Sequence, residues 1–216
     1  MGSMHMGFMN MDSTLSPDNR SAEIPGSMQP RRLLLHCCCA PCASSVLERL
    51  SSDFKITALF YNPNITPREE YFKRAEELKK LPLSEGYAYR IDSVVCEYDP
   101  EPFIEAASPF TNEPEGGARC RVCIKLRLEE TAKRAGEGLF DAFTTTLSVS
   151  PHKNAADINA AGGLLAEEYG VKYLSSDFKK QDGYKRSVEL SKRYGLYRQK
   201  YCGCESSRTA PKPGGA

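Results

Sequence analysis

No apolar run in this 216-residue chain approaches the roughly 20 residues needed to cross a bilayer. The N-terminus lacks a basic stretch leading into an apolar core, so neither a membrane span nor a secretory signal is expected, and the expected location is the cytoplasm. An excess of one charge is missing too. The 29 basic and 28 acidic residues leave a formal net charge of +1, which excludes a surface built wholly to attract polyanions but leaves local patches open. Methionine does not occur after Met28, and outside the first 28 residues His36 and His152 are the only histidines. No GxGxxG or P-loop sequence is present, so the phosphate cradles of nicotinamide and nucleotide-hydrolysing sites are absent. Also missing are the SGGxDS loop of ATP-pyrophosphatase-type tRNA sulfur transferases and the CxxxCxxC loop of radical-SAM enzymes, for which position 45 would have to be Cys and is Ser. Nine cysteines cannot all pair within one chain, and a reducing cytosol argues against a disulfide framework.

Sulfur is what the chain has in surplus. The cysteines fall mainly in three tight clusters, HCCCAPC at 36 to 42, CRVC at 120 to 123 and CGC at 202 to 204. Spacings of one to three residues let a single loop offer two thiolates to one metal or to neighbouring irons. Cys38, Cys39, Cys120 and Cys123 form a four-ligand set for a [4Fe-4S] cluster, with Cys120 and Cys123 opening a helix whose positive end favours thiolates. A tetrahedral structural zinc fits CxxC pairs as well, and the surplus of thiols weighs toward iron-sulfur. Cys42, Cys202 and Cys204 remain for other work. Cys37 and Cys96 read as ordinary buried small residues.

Organisation along the chain points to an α/β fold. Residues 1–29 read as a mobile leader, 30–206 as one catalytic domain and 207–216 as a disordered tail, because the flanking compositions bury too little apolar surface to offset ordering entropy. Inside the domain, strand candidates 33–36, 56–61, 88–92, 139–146 and 171–174 alternate with helices at 41–51, 67–80, 120–135, 154–169 and 183–194. Alternation of this kind implies a Rossmann-like domain, a mainly parallel sheet flanked by helices. The unusual loops, the cysteine run, NPNITP, SVSPHKN and SSDFKKQD, all follow strands, and ligands in open α/β sheets bind at that end.

Between Ser176 and Tyr201 lie eight basic residues, Lys179, Lys180, Lys185, Arg186, Lys192, Arg193, Arg198 and Lys200, against Asp177, Asp182 and Glu189. The stretch suits phosphates, and it suits a solvated helix face equally. Its tyrosines, Tyr184, Tyr194, Tyr197 and Tyr201, suit either base stacking or half-buried helix positions.

HCCCAPC, YNPNITPREEYFKR, GGARCRVCIKLRLEETA, FTTTLSVSPHKN and SSDFKKQDGYKRSVELSKRYGLYRQKYCGC, in that order, resemble the QueH-type epoxyqueuosine reductases over nearly all of the expected domain. Cys37 stands where that resemblance leads one to expect a small residue such as Ser. The resemblance implies an adenine nucleotide alpha-hydrolase-like fold without ATP chemistry, and an oxidoreductase that deoxygenates epoxyqueuosine in tRNA to queuosine. It further implies an iron-sulfur cluster and an external electron donor. Removing an epoxide oxygen takes two electrons, protons and help for the departing oxide, for which a second mononuclear metal ion, iron or zinc, would serve as Lewis acid. Candidate ligands are Cys42, Cys202, Cys204 and Asp177; alternatively Cys202 and Cys204 resemble a redox-active dithiol. His152 or Tyr61 is a candidate proton donor, and Asn62, Asn64, Thr145, Lys179 and Lys180 are candidate contacts to the tRNA. A zinc-stabilised RNA-binding module and a cluster-dependent tRNA sulfur transferase are the rival readings.

Overall fold

Strand β1 (Arg31–His36) carries three consecutive leucines, and the pleat of the strand divides them. In this computed structural model, which describes residues 30–81 and 91–209, Leu33 and Leu35 enter one core cluster and Leu34 enters the other. A strand buried on both faces belongs in the middle of a parallel sheet. β1 indeed pairs in parallel on one side with β2 (Phe54–Phe60), from Arg31 opposite Phe54 to His36 opposite Leu59. On its other side it pairs with a strand over Ala142–Thr145, from Leu33 opposite Ala142 to His36 opposite Thr145. With β3 (Asp92–Val95), that strand as β4, and β5 (Lys172–Tyr173), the all-parallel order is β3-β2-β1-β4-β5.

Helices cover both faces. α1 (Ala40–Leu50) and α2 (Arg68–Lys80) bury Val46, Leu47, Tyr71 and Leu78 against the face that carries Leu33 and Leu35. After α3 (Glu101–Ala107), the long α4 (Ala118–Glu137) and α5 (Ala155–Tyr169) bury Ile124, Leu128, Ile158 and Leu165 on the Leu34 face. Each fully buried leucine of this kind contributes roughly 1.5–3 kcal/mol. α6 (Gly183–Arg193) packs on α1, and α7 (Glu205–Thr209) closes the described chain, running past the boundary expected at Ser206. α5 starts where the Asn154 side chain accepts the Ala156 N–H at 2.9 Å and stops at Gly170 in the left-handed region. It lies close on β5 because residue 162 is glycine: a Cβ there would come within 2.4 Å of the Tyr173 ring.

All five strands differ from their expected bounds, two of them by at least three residues at their start. The expected third strand began at Ala88, which lies outside the described residues, and the observed one occupies Asp92–Val95. It is an outer strand with a half-exposed pattern, which gives little periodicity to read. β4 starts at Ala142 rather than Leu139, because Leu139 takes a positive φ of 54° in the turn that ends α4. No helix among the described residues is long and apolar enough to cross a membrane.

From β1 the chain steps outward to β2 and β3, then returns past β1 to β4. Strand order therefore reverses between β1 and β4, and the loops leaving their carboxyl ends diverge around a crevice.

Candidate metal centre

The Cys37 N–H still bonds to the Leu59 carbonyl at 2.8 Å, and its fully buried thiol lies 3.4 Å from the Leu35 carbonyl, so this cysteine is part of the core. Beyond it the chain leaves the sheet. Cys39 is the N-cap residue of α1, Pro41 occupies the first turn where its missing N–H costs nothing, and Cys42 follows one residue on. The sulfurs of Cys38, Cys39 and Cys42 all lie within 4.8 Å of one another, and those of Cys38 and Cys39 are 3.8 Å apart. Thr146, from the loop after β4, braces this trio: its Oγ1 accepts the Cys38 N–H at 3.3 Å and sits 3.6 Å from the Cys38 sulfur. Both loops of the crevice thus meet at Cys38.

The three thiols are electrostatically linked. Hydrogen bonds from Cys39, then Cys42, hold the Cys38 thiol well below its ordinary range despite burial. The same partnership pushes Cys39 up to about 12 and raises Cys42 well above its usual value. A metal ion entering here would displace the remaining thiol protons. Arg127, on α4 and 2% exposed, is the buried cation of the site. Burial alone would lower its pKa, but the thiols of Cys123, Cys202, Cys38 and Cys120 outweigh that and raise it.

A cavity of about 140 Å³ lies beside it, lined by Cys120, Cys123, Cys202 and Cys204 together with Asn64, Arg119, Arg127, His152 and Lys153. Cys120 stands in the first turn of α4, where its sulfur accepts the Gly116 N–H at 3.2 Å. Burial pushes the Cys123 thiol up to about 12, with Arg127 pulling the other way. The Lys153 Nζ lies 3.4 Å from the Cys202 sulfur, which raises the ammonium against its desolvation.

The loop 202–204 is held from outside the cavity by Arg74 of α2, whose side chain is 1% exposed. Its Nη1 donates to the Cys202 carbonyl at 2.8 Å, its Nε to Glu70 at 2.7 Å, and its guanidinium stacks 5.0 Å from the Tyr201 ring centroid. The Gly203 carbonyl accepts the Thr66 N–H at 2.9 Å, the residue has φ of 140°, and a Cβ on it would meet Ile65 at 2.8 Å. Side chains are thus excluded where the NPNITP turn and the CGC loop touch.

Of the residues singled out from the sequence, the structure groups Cys38 and Cys39 with Cys42, and it sets Cys120, Cys123, Cys202, Cys204, His152 and Asn64 around the cavity. The others stand apart from the lining. Asn62 donates to the Cys37 carbonyl at 2.9 Å and accepts from Arg127, so it braces the cysteine loop. Thr145 Oγ1 bonds to the Leu147 N–H and lies 2.8 Å from His36 Nδ1. His36 is fully buried, held neutral by burial with its pKa lowered to about 4, and its Nε2 donates to the Tyr61 carbonyl at 3.1 Å. The Tyr61 hydroxyl, pushed up to about 12 by burial and then by Glu130, packs in the Leu34 core cluster. The Asp177 carboxylate pairs with Lys179 at 3.2 Å, and the Lys179 Nζ also donates to the Lys153 carbonyl at 3.1 Å. Lys180 is exposed, as are Lys185, Lys192 and Lys200, whereas Arg186 is taken up by Glu48 and Glu189. The tyrosines of this stretch are largely occupied too, with the Tyr197 hydroxyl donating to Glu70 and the Tyr201 hydroxyl to the Thr66 carbonyl.

Sequence reasoning missed Arg74, Arg119, Arg127 and Lys153. For Arg127 a signal existed: it lies four residues after Cys123 and four before Thr131, on the cysteine face of α4, where a charged side chain must be buried. The Arg127 Nε donates to the Cys123 carbonyl, and Thr131 donates to the Arg127 carbonyl, along that same face.

A family model described as epoxyqueuosine reductase QueH matches residues 33–210. A curated protein named epoxyqueuosine reductase QueH from Streptococcus pyogenes serotype M1 is 45% identical over 175 residues, covering 80% of this chain and 68% of that one. Proteins of the same name from Staphylococcus epidermidis and Thermotoga maritima are 42% and 37% identical, covering 80% of this chain and 74% and 88% of theirs. A crystal structure described as a predicted subunit of a tRNA methyltransferase from Methanocaldococcus jannaschii aligns with a TM-score of 0.45 at 15% identity, over 74% of this chain and 76% of that one.

Proposed function

This chain belongs to the epoxyqueuosine reductase QueH family, and we propose that it carries out the reaction of that family, reduction of the epoxide of epoxyqueuosine to the alkene of queuosine within tRNA. The balance is one epoxide, two electrons and two protons giving one alkene and one water. The observation that carries the proposal beyond family membership is that Cys120, Cys123, Cys202 and Cys204, far apart in the sequence, line one cavity with Arg127.

The donor set fits a metal cofactor. Three sulfurs within 4.8 Å of one another are the soft ligands that iron-sulfur clusters and zinc take. We assign Cys38, Cys39, Cys120 and Cys123 to a [4Fe-4S] cluster, which when bound supplies electrons singly, while a second metal held by Cys42, Cys202, Cys204 and Asp177 would supply Lewis acidity. For Cys202 and Cys204 the dithiol role has the better support, since Asp177 is already paired with Lys179 and a rigid loop clamped by Arg74 suits thiols that open and close one bond. Oxidation of the two thiols to a disulfide releases the two electrons and two protons that the epoxide consumes, and an external donor restores the dithiol.

The residues of the chain do the rest. Lys153 sets a positive charge against Cys202, and Arg127 offsets the negative charge of the gathered sulfurs. His152, at the rim of the cavity, is placed to pass a proton to the departing oxygen. The exposed lysines, Lys180 among them, face outward where tRNA phosphates approach.

The deciding assay incubates the anaerobically purified protein with tRNA carrying epoxyqueuosine and a reductant, without ATP, and analyses the nucleosides. Conversion to queuosine with broad visible iron-sulfur absorbance is expected. Colourless protein with stoichiometric zinc and no conversion would favour the RNA-binding module, and strict dependence on ATP would favour the sulfur transferase.

A further inference from the structure

Two residues that line the cavity each carry a buried polar atom without a protein partner: Asn64, 1% exposed, through its Oδ1, and Arg119, 6% exposed, through its Nε. One is an acceptor and the other a donor. Leaving either unpaired in a dry wall costs roughly 1–3 kcal/mol, a cost that a ligand bringing the complementary group removes.

The Arg119 guanidinium and the backbone that carries Asn64 are fixed in place before any ligand arrives. The Arg119 Nη1 donates to the carbonyls of Thr111 at 3.1 Å and Glu113 at 2.6 Å, which anchors the guanidinium and leaves Nε as its free edge. Asn64 lies in a turn closed by the Ile65 N–H on the Asn62 carbonyl at 3.1 Å, and the next residue, Thr66, is tied to Gly203 at 2.9 Å. Preset donors and acceptors of this kind recognise a ligand by its pattern rather than by charge alone.

The chemistry of that ligand rests on the reductase reading. The carbocycle that bears the epoxide in epoxyqueuosine also bears neighbouring hydroxyls, and a hydroxyl both donates and accepts. The epoxide must reach the sulfurs that line the same cavity. At about 140 Å³ the cavity has room for one small oxygenated ring. We propose that Arg119 and Asn64 bind the hydroxyls of the epoxide-bearing ring and thereby choose which face of it meets the thiols. The base stays at the mouth of the cavity.

The test pairs two variants, Asn64→Ala and Arg119→Lys, with two tRNAs, one carrying epoxyqueuosine and one carrying an analogue whose ring hydroxyls are replaced by hydrogen. Lysine keeps the charge and the reach toward Thr111 and Glu113 but has no counterpart of Nε. Each variant should lose roughly 10- to 100-fold in kcat/KM on epoxyqueuosine tRNA, as expected for one partner lost from a buried hydrogen bond. On the analogue each should match the unaltered protein, which also shows that the variant is folded. Equal losses on both tRNAs would overturn the proposal and assign the pair to the base edge or to the structure of the wall. Tight-binding measurements on both tRNAs separate the two levels of inference. An unaltered protein that prefers the hydroxylated tRNA, through Asn64 and Arg119, yet converts nothing would sink the reductase reading and leave this site standing; no preference would sink the site.

Discussion

Replacing Arg74 with Met should be among the most damaging single changes outside the cavity. The guanidinium is almost wholly buried, pairs with Glu70 at 2.7 Å and caps the Cys202 carbonyl at 2.8 Å. Methionine fills much of the volume but strands the Glu70 carboxylate, 11% exposed, with only the Tyr197 hydroxyl at 3.2 Å to satisfy it. Removing one member of a buried ion pair typically costs about 3–5 kcal/mol, and the lost bond to the Cys202 carbonyl lies within that figure because neighbouring effects are not additive. For a domain of this size the melting temperature should fall by roughly 10 °C. Urea unfolding under reducing conditions measures the loss, and alkylation of Cys202 should speed up as its loop loosens. The double variant Arg74→Met with Glu70→Gln should recover part of the stability by removing the stranded charge. A loss below about 1 kcal/mol, or a double variant worse than the sum of the singles, would refute the clamp.

Other expectations follow from the site and the surface. Cys39→Ala and Cys120→Ala should each lose bound iron and visible colour, whereas Cys204→Ala should keep both and lose turnover; iron lost from the Cys204 variant would make that sulfur a metal ligand instead. Lys180→Gln should weaken tRNA binding about equally for all tRNAs and lower the slope of log affinity against log salt by about 1, and an unchanged slope would return this lysine to plain solvation. Arg186 reaches from α6 to Glu48 on α1 and lowers the Glu48 carboxylate below its ordinary value. A lowered folded-state pKa stabilises above the unfolded value and stops doing so as pH falls through the folded one, so Glu48→Gln should remove a small acid-sensitive component. The pair is solvent-screened, so the change should stay below about 1 kcal/mol in pH-dependent unfolding; no difference between the two proteins at any pH would remove Glu48 from the account.

The sheet and its order of helices were legible because leucine runs such as Leu33 to Leu35 and periodic stretches such as 154–169 carry strong patterns. Thiol spacing likewise marked the loops that matter. What spacing could not supply was which clusters share a pocket, since Cys120 and Cys123 meet Cys202 and Cys204 only in the folded chain. Nor could it assign Asn62 and Thr145, which were read as tRNA contacts. In the folded chain their polar atoms hold the Cys37 carbonyl and the His36 ring, leaving no such group pointed at the cavity. Arg74, Arg119 and Lys153 escaped for the opposite reason. A lone basic residue in a polar segment looks solvated, and only tertiary packing turns it inward.

The clamp between the NPNITP turn and the CGC loop also governs how the site comes into being. A nascent chain emerging from the ribosome exposes Cys38, Cys39 and Cys42 long before Cys202 and Cys204 exist, and the crevice stays open on that side until Arg74 and Thr66 capture the late-made loop. Of the three cysteine clusters, the one this clamp holds is therefore the last to be made and the last to dock.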